Sequence, residues 1–191
     1  MNHLILGGAR SGKSALAQRR ADGTGLRVIY LATAQAGDAE MARRIAHHRC
    51  QRPAHWASVE EPLHLGEALR HHAAADCCIL VDCLTLWLSN LFFAGRAAAQ
   101  AQSGDPVDCP LLQAEWNALL SALAQAPGTR ILVSNEVGWG IVPDNAVARH
   151  FADEQGRLNQ AVAAACGRVT LAAAGLPLEL KGPGAGTAAR A

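Results

Sequence analysis

Residues 7–14 carry the complete pattern G-x-x-x-x-G-K-[ST], which occurs where a buried strand passes through a tight loop into a helix. The flanking segments agree with that context. Residues 4–6 form a short apolar run that predicts a strand, and residues 15–20 have helix-forming composition. The pattern therefore predicts an α/β fold in which this loop binds the phosphates of a nucleoside triphosphate.

Each position of the loop has a physical reason. Glycine allows the backbone to approach a phosphate closely, and successive N–H groups at a helix N-terminus form an anion-binding nest. Lys13 is placed to reach the β- and γ-phosphates, and the Ser14 hydroxyl is placed to ligate Mg²⁺. The predicted phosphate-binding residues are Gly7, Gly8, Ala9, Arg10, Ser11, Gly12, Lys13 and Ser14.

Composition limits the classes of protein that this chain could be. Its 191 residues suit a single domain, which we expect to span residues 1–182, with residues 183–191 forming a disordered Gly/Ala-rich tail. The net charge of +1 gives no electrostatic basis for binding nucleic acid or an anionic membrane. The longest apolar stretch, residues 84–95, is too short to insert stably into a membrane.

The six cysteines contain no C-x-x-C pair, so a zinc site is not expected. Three of them, Cys77, Cys78 and Cys83, fall in or beside an apolar run, where buried free thiols are common. The N-terminus leads directly into the first predicted strand, without a secretory signal. We therefore expect a cytoplasmic protein with reduced thiols.

Strands and helices alternate along the chain. Apolar, β-branched runs predict strands at residues 4–6, 27–33, 77–82, 130–136 and 168–171. Helices are predicted from a cap at Asp38 through Met41 to about Arg49, after Pro62, over 84–93 and 111–126, and from a cap at Asp144 to about 166. A mobile loop is predicted over 95–110. This order predicts a P-loop NTPase-type α/β fold, a mostly parallel sheet with helices on both faces.

Polar residues gather at the carboxyl ends of the predicted strands, where ligands bind in open α/β sheets. Thr33, Asp82 and Glu136 all occupy such ends, alongside the phosphate-binding loop. Asp82 is placed where such proteins hold Mg²⁺ or its waters. The chain lacks both the dinucleotide-binding G-x-G-x-x-G pattern and a guanine-reading Asn-Lys-x-Asp run, which speaks against an ordinary small GTPase.

A second chemical centre is indicated by a histidine pair after the second strand. On a helix, His47 shares a face with Arg43 and Arg44, an arrangement that would set an imidazole beside guanidiniums able to hold phosphate oxygens. A second pair, His71 and His72, lacks comparable neighbours and is interpreted as surface.

With these motifs in hand, the chain resembles the bifunctional adenosylcobinamide kinase and adenosylcobinamide-phosphate guanylyltransferase family of cobalamin biosynthesis. The resemblance extends from residue 4 to about residue 172. It rests on residues 7–14, 30–34, 41–49, 52–56, 135–143, 148–151 and 156–160.

The resemblance implies two reactions. Adenosylcobinamide would first be phosphorylated by ATP or GTP, and GTP would then give its GMP unit to adenosylcobinamide phosphate through a GMP-histidine intermediate. It assigns that histidine to His47, with Lys13 and Mg²⁺ assisting departure of the pyrophosphate, and it implies a homo-oligomer. The further nucleotide-binding residues that it implies are Ala32, Thr33, Ala34, His48, Arg49, Cys50, Gln51, Glu60 and Asp82.

Several points stay open at this stage. The family often has Glu where this chain has Asp82, and Glu61 competes with Glu60 for the nucleotide contact. The helix over 84–93, with Trp87, could serve the core or a subunit interface. The alternatives in function are a P-loop small-molecule kinase without guanylyl transfer, and a non-catalytic nucleotide switch. The preferred nucleotide of the kinase step, the base and the subunit number are also open.

Overall fold

The computed structural model describes residues 1–50 and 52–183, apart from the side chains of Met41, Arg44, His47 and His48. Within these residues seven strands form one sheet. The strands are β1 (Asn2–Gly7), β2 (Arg27–Ala32), β3 (Ala57–Glu60), β4 (Cys77–Asp82), β5 (Thr129–Asn135), β6 (Arg168–Ala173) and β7 (Leu176–Lys181). The helices are α1 (Lys13–Asp22), α2 (Ala39–Cys50), α3 (Leu65–His72), α4 (Leu84–Ala94), α5 (Ala97–Ser103), α6 (Pro110–Gln125) and α7 (Ala146–Ala165).

The sheet has the strand order β3-β2-β4-β5-β1-β6-β7, and every neighbouring pair is parallel except β6 and β7. The register aligns the carboxyl ends of the central strands. Gly7 of β1 pairs with Asn135 of β5, and Ala32 of β2 pairs with Asp82 of β4. The mostly parallel α/β sheet predicted from the sequence is confirmed, and its carboxyl edge carries the candidate site.

Both faces of the sheet are covered by helices, as predicted. Alternate strand residues point to opposite faces, so each buried strand contributes to two clusters. On one face, Leu16 and Ala17 of α1 pack with strand residues such as Ile5 and Leu80. On the other face, residues of α3, α4, α5, α6 and α7 pack with the intervening strand residues, including Leu4 and Ile79.

The structure corrects the sequence-based elements at several points. Strands β3 and β7 were not predicted, and the segment expected to be a loop over 95–110 contains α5, whose Ala97 and Ala101 are fully buried. The cap of α7 is Asn145, whose side chain accepts from the Ala148 N–H at 2.7 Å; Asp144 does not hold this position. The expected disordered tail lies outside the described residues from residue 184 onward.

Helix α4 belongs to the core. Trp87 is fully buried, together with most of the apolar residues of the helix, and only Phe93 among its large side chains is exposed. The thiols of Cys77, Cys78 and Cys83 are buried, as predicted. None of the helices in the described part of the chain is long and apolar enough to cross a membrane.

A polar cluster joins strands β1, β6 and β7, which lie next to one another at one edge of the sheet. Thr170 Oγ1 lies 2.7 Å from His3 Nε2 and donates to Glu179 Oε2 at 3.0 Å, so the neutral imidazole donates to the hydroxyl. Arg168 donates to both oxygens of Glu179, at 2.9 and 2.6 Å. Burial, and next the charge of Arg168, lower the pKa of His3 to about 4.

The depressed pKa of His3 predicts a loss of stability in mild acid. Between pH 6.5 and about 4 the unfolded chain protonates His3 whereas the folded chain does not. The contribution of the neutral His3 to the free energy of unfolding is therefore complete above pH 6.5. It decreases as the pH is lowered, by up to about 3 kcal/mol near pH 4. Urea unfolding at several pH values should show a shallower pH dependence for His3→Gln than for the wild type. A control change at the exposed His71, His71→Gln, should retain the wild-type dependence, and equal slopes for all three proteins would contradict this account.

Candidate functional site

The phosphate-binding loop leaves β1 at Gly7 and enters α1 at Lys13. Gly12, the cap of α1, has φ 89°, and Arg10 has φ 55°, so two left-handed residues fold the loop back on itself. Such conformations turn successive N–H groups toward one concavity, which suits an anion. A cleft of about 350 Å³ opens there, lined by Arg10, Ser11, Gly12, Lys13, Ser14, Ala15 and Gln18.

Two of the loop glycines are required by close packing. A Cβ atom on Gly7 would lie 2.5 Å from the Ala172 carbonyl oxygen and 2.5 Å from Ser11 Oγ. A Cβ atom on Gly12 would lie 3.1 Å from Gly175 Cα, in addition to the strain of its positive φ. The Gly175 N–H donates to the Ser11 carbonyl at 2.9 Å. The turn between β6 and β7 therefore supports the loop from behind.

The Lys13 side chain folds back onto the phosphate-binding loop. Its Nζ donates to the Gly8 carbonyl oxygen at 3.0 Å. Burial, and next the Asp82 charge, raise the pKa of the Cys83 thiol to about 11, and the charge of Lys13 opposes this rise. The hydrogen bond to Gly8 holds the Lys13 ammonium at the phosphate-binding loop.

The carboxylate of Asp82, the last residue of β4, is held by a buried tyrosine. The Tyr30 hydroxyl donates to Asp82 Oδ2 at 2.7 Å. Burial, followed by the charge of Asp82, raises the pKa of Tyr30, so the phenol remains a donor at neutral pH. The Arg52 guanidinium stacks on the Tyr30 ring, with Cζ 3.6 Å from the centroid. The Tyr30 hydroxyl thereby fixes one oxygen of the Asp82 carboxylate. Carboxylate and hydroxyl oxygens, such as those of Asp82 and Ser14, are of the ligand type that Mg²⁺ prefers.

Thr33, predicted to contact nucleotide, uses its hydroxyl within the fold. The fully buried Oγ1 donates to the Cys83 carbonyl at 2.7 Å and accepts from the Cys83 N–H at 2.9 Å. The Ala32 carbonyl accepts from the Glu61 N–H at 2.9 Å. Of residues 32–34, Ala34 lines a second cleft.

The second cleft, of about 740 Å³, lies between α2 and the segment that follows β2. From α2 it is lined by residues at helical spacing, with Arg49 at the far end. The lining residues are Ala34, Gln35, Ala36, Gly37, Ala42, Ile45, Ala46, Arg49, Glu60 and Pro62. The structure thus brings together three of the predicted nucleotide-binding residues, Ala34, Arg49 and Glu60.

The neighbouring acids Glu60 and Glu61 make different contacts. Glu60 lines the cleft and pairs with Arg49, and both side chains are more than half exposed. Glu61 Oε1 accepts from the N–H groups of Leu63 and His64, at 2.9 and 2.8 Å. Glu61 is therefore committed to the turn before α3, and an exposed pair such as Arg49–Glu60 costs little to rearrange around a ligand.

Three of the remaining predicted residues, His47, His48 and Cys50, belong to the end of α2. Cys50 is exposed and does not line the cleft. The backbone of His47 and His48 is helical, in the last turns of α2, while their side chains and the whole of Gln51 lie outside the described residues.

The two clefts share the carboxyl edge of one sheet. Strand β2 lies three strand positions from β1, which corresponds to roughly 14 Å at the usual strand spacing. Asp82 on β4 lies between them.

Sequence reasoning missed a buried polar network behind this edge. Asn159 Nδ2 donates to the Asn135 carbonyl at 3.0 Å and to Glu136 Oε1 at 3.2 Å. Asn159 Oδ1 accepts from Ser134 Oγ at 2.7 Å and from Gln155 Nε2 at 3.0 Å. The sequence did contain a signal for this network: Gln155 and Asn159 lie four residues apart, on the apolar face of α7 that also carries Leu158. The network fixes the end of β5 and the backbone that precedes Glu136.

Comparison with known proteins identifies the family. Residues 3–180 match the family model described as cobinamide kinase / cobinamide phosphate guanyltransferase. The chain is 54% identical to the bifunctional adenosylcobalamin biosynthesis protein CobP of Pseudomonas aeruginosa, over 95% of this chain and 98% of that protein. It is 41% identical to the bifunctional adenosylcobalamin biosynthesis protein CobU of Salmonella typhimurium, over 93% and 98% of the two chains.

Solved structures agree on the fold. An ATPase of a bacterial type III secretion system superposes with a TM-score of 0.54 at 15% identity, covering 89% of this chain and 50% of that one. The assembled ATPase EscN of enteropathogenic E. coli gives 0.52 at 14% identity, covering 91% and 43%. The chain therefore spans half the length or less of these ATPases, and the likeness shows a P-loop NTPase-like fold. From its match over nearly the whole domain and from its curated relatives, the chain belongs to the cobinamide kinase / cobinamide phosphate guanyltransferase family.

Proposed function

We propose that this protein phosphorylates adenosylcobinamide with ATP or GTP and then transfers GMP from GTP to adenosylcobinamide phosphate, giving adenosylcobinamide-GDP and pyrophosphate. The observation that carries the proposal is the pair of clefts on one sheet edge, one formed by the phosphate-binding loop and the other beside the helix that contains His47. The family membership supplies the corrinoid substrate.

In the kinase step, the oxygen of the substrate hydroxyl forms a bond to the γ-phosphorus. The bond between the γ-phosphorus and the β,γ-bridging oxygen breaks, and the nucleoside diphosphate leaves. The loop N–H groups and Lys13 would stabilise the charge that develops on the phosphate oxygens. Ser14 and Asp82 would hold Mg²⁺, which neutralises phosphate charge when bound.

In the guanylyl-transfer step, an imidazole nitrogen of His47 would attack the α-phosphorus of GTP and pyrophosphate would leave. A phosphate oxygen of adenosylcobinamide phosphate would then attack the same phosphorus and release the histidine. Two in-line steps replace one difficult transfer. The described neighbours support this role, because Arg49 and Glu60 lie in the cleft beside α2, and an arginine can hold phosphate oxygens.

The proposed assignment of Asp82 predicts a specific effect of Tyr30→Phe. The change removes the donor to Asp82 Oδ2 and keeps the ring on which Arg52 stacks. We expect the Mg²⁺ concentration for half-maximal kinase activity to rise roughly ten-fold, because a hydrogen bond to a charged acceptor is lost. Nucleotide binding measured without Mg²⁺ and the melting temperature should change little. An unaltered Mg²⁺ dependence would show that Tyr30 does not position a metal ligand.

The proposed function is tested by product analysis. Adenosylcobinamide incubated with the protein and ATP should gain one phosphate, and after addition of GTP it should gain one GMP unit with release of one pyrophosphate. Phosphorylation without GMP transfer would show that the protein is a corrinoid kinase without guanylyltransferase activity. The absence of both reactions would refute the proposal.

We also propose a cytoplasmic homo-oligomer. The nucleotide substrates and the six free cysteines, five of them buried, support a reducing compartment. Three leucines on the edge strand β7, Leu176, Leu178 and Leu180, are 49–71% exposed. Such exposure is unusual for an isolated chain and supports contact with another subunit.

A further inference from the structure

The segment between β5 and α7 exposes large apolar side chains. We refer to residues 137–143 as the rim loop. Within it Trp139 is 72% exposed, Ile141 97% and Val142 72%. Scattered exposed apolar residues need no explanation, but three in one short loop, with Trp among them, are typical of a binding surface.

The rim loop begins beside the phosphate-binding loop. The last residue of β5, Asn135, pairs with Gly7, and the next residue, Glu136, donates its N–H to the Gly7 carbonyl at 3.2 Å. The base of the rim loop is therefore one strand spacing, about 5 Å, from the start of the loop that would hold the triphosphate.

The far end of the rim loop is fixed to α7. Arg149 Nη1 donates to the carbonyl oxygens of Pro143 and Asp144, at 2.9 and 2.6 Å. Asn145 caps the first turn of the helix. A concavity of about 300 Å³ lies against the rim loop; its lining residues are Val137, Gly138, Gly140, Ile141, Val142, Pro143, Arg149, Ala152 and Asp153. The apolar side chains are thus presented by a segment that is anchored at both ends.

Neither packing nor backbone conformation within the chain requires glycine at Gly138 and Gly140 of the rim loop. A Cβ atom on Gly138 or Gly140 would meet no atom within 4 Å, so packing does not demand glycine. Neither residue has a positive φ, so backbone conformation does not demand it either. Because glycine lacks a side chain, the backbone on both sides of Trp139 is accessible, and a flat ligand can approach it closely.

We propose that the rim loop binds the corrin ring of the corrinoid substrate, an inference that rests on the proposed function. The corrin ring system is broad and largely apolar, and it is fringed with amide arms. Trp139 and Ile141 would cover its apolar surface, and the open backbone at Gly138 and Gly140 would accept and donate hydrogen bonds to amides. The hydroxyl on the substrate's short arm must reach the γ-phosphate, so its ring must sit on this edge of the sheet, where the rim loop is.

The test compares Trp139→Ala and Gly140→Val with Phe93→Ala, which removes an exposed aromatic side chain (64% exposed) at the end of α4. The KM for adenosylcobinamide should rise roughly ten-fold in the two rim-loop variants, because a large apolar contact is lost or blocked. The KM for ATP and the labelling of the protein by GTP without corrinoid should stay within two-fold of wild type, and Phe93→Ala should match wild type throughout. Sedimentation should give the same oligomeric state for all four proteins.

Two results would overturn this inference alone. One is a corrinoid KM within two-fold of wild type in both rim-loop variants. The other is a changed oligomeric state in Trp139→Ala, which would make the rim loop a subunit contact. A wild-type protein that does not phosphorylate adenosylcobinamide would instead refute the proposed function, and the inference with it.

Discussion

Lys13→Ala is expected to lower kcat/KM of the kinase step about 10³-fold, which corresponds to roughly 4 kcal/mol of transition-state stabilisation. The reason is that the ammonium lies at the phosphate-binding loop, 3.0 Å from the Gly8 carbonyl oxygen. Guanylyl transfer should fall as well, because Lys13 would also stabilise the departing pyrophosphate. Initial rates for both reactions at saturating Mg²⁺ would measure the effect.

The chain provides a matched control, because its only other lysine is Lys181. That side chain donates to the carbonyl oxygens of Ala163 and Ala164 at the end of α7, away from the carboxyl edge. Lys181→Ala should keep both activities within about two-fold of wild type, since a single exposed hydrogen-bonding side chain contributes little. Comparable losses in the two variants would contradict the assignment of Lys13.

His47→Ala is expected to separate the two reactions. Guanylyl transfer should fall at least about 10³-fold, because the nucleophile of the covalent step is removed. The kinase step should stay within a few-fold of wild type, because we propose that it uses the phosphate-binding loop and Asp82 instead of His47. Phosphate transfer from ATP and GMP transfer to previously phosphorylated substrate should therefore be assayed separately.

The control for His47→Ala is His71→Ala, at the exposed end of α3. It also removes one histidine from a His-His pair, and both activities should be unchanged. If His47→Ala lost the kinase step to the same degree as guanylyl transfer, His47 would have a structural role rather than that of a nucleophile.

The sequence was informative wherever one segment determined its own structure. The five strands predicted from continuous apolar runs all occur, because a parallel strand buried on both faces must be apolar at nearly every residue. The phosphate-binding loop was likewise predictable, since its pattern encodes a local backbone conformation, including the left-handed Gly12.

The elements that were missed depend on their neighbours. Strand β3 is short, mostly exposed and lies at the sheet edge, so its pairing with β2 leaves little trace in its own residues. Strand β7 likewise exposes most of its residues, and it is held through the pairing of Glu179 with Arg168. Helix α5 was hidden by the glycine and proline that follow it, while its alanines favour a helix.

The same reasoning explains the site. The contacts of Tyr30 with Asp82 and Arg52 join residues far apart in sequence, and no local sequence pattern predicts them. The hydrogen bonds of the Thr33 hydroxyl to Cys83 could not be predicted either, because a buried hydroxyl finds its partners in the folded chain. The nucleotide contact of Thr33 stays a prediction. Glu60 and Glu61 could be told apart only once the turn before α3 was seen to use Glu61.

The covalent intermediate on His47 is the central claim, and the direct measurement is the chemistry of the adduct formed with α-labelled GTP. Wild-type protein should become labelled without corrinoid, His71→Ala should be labelled equally, and His47→Ala should not be labelled. The label should be lost in acid and retained in base, as expected for a phosphoramidate, and adenosylcobinamide phosphate should remove it. Undiminished labelling of His47→Ala, or an adduct that is stable in acid and lost in base, would contradict the account.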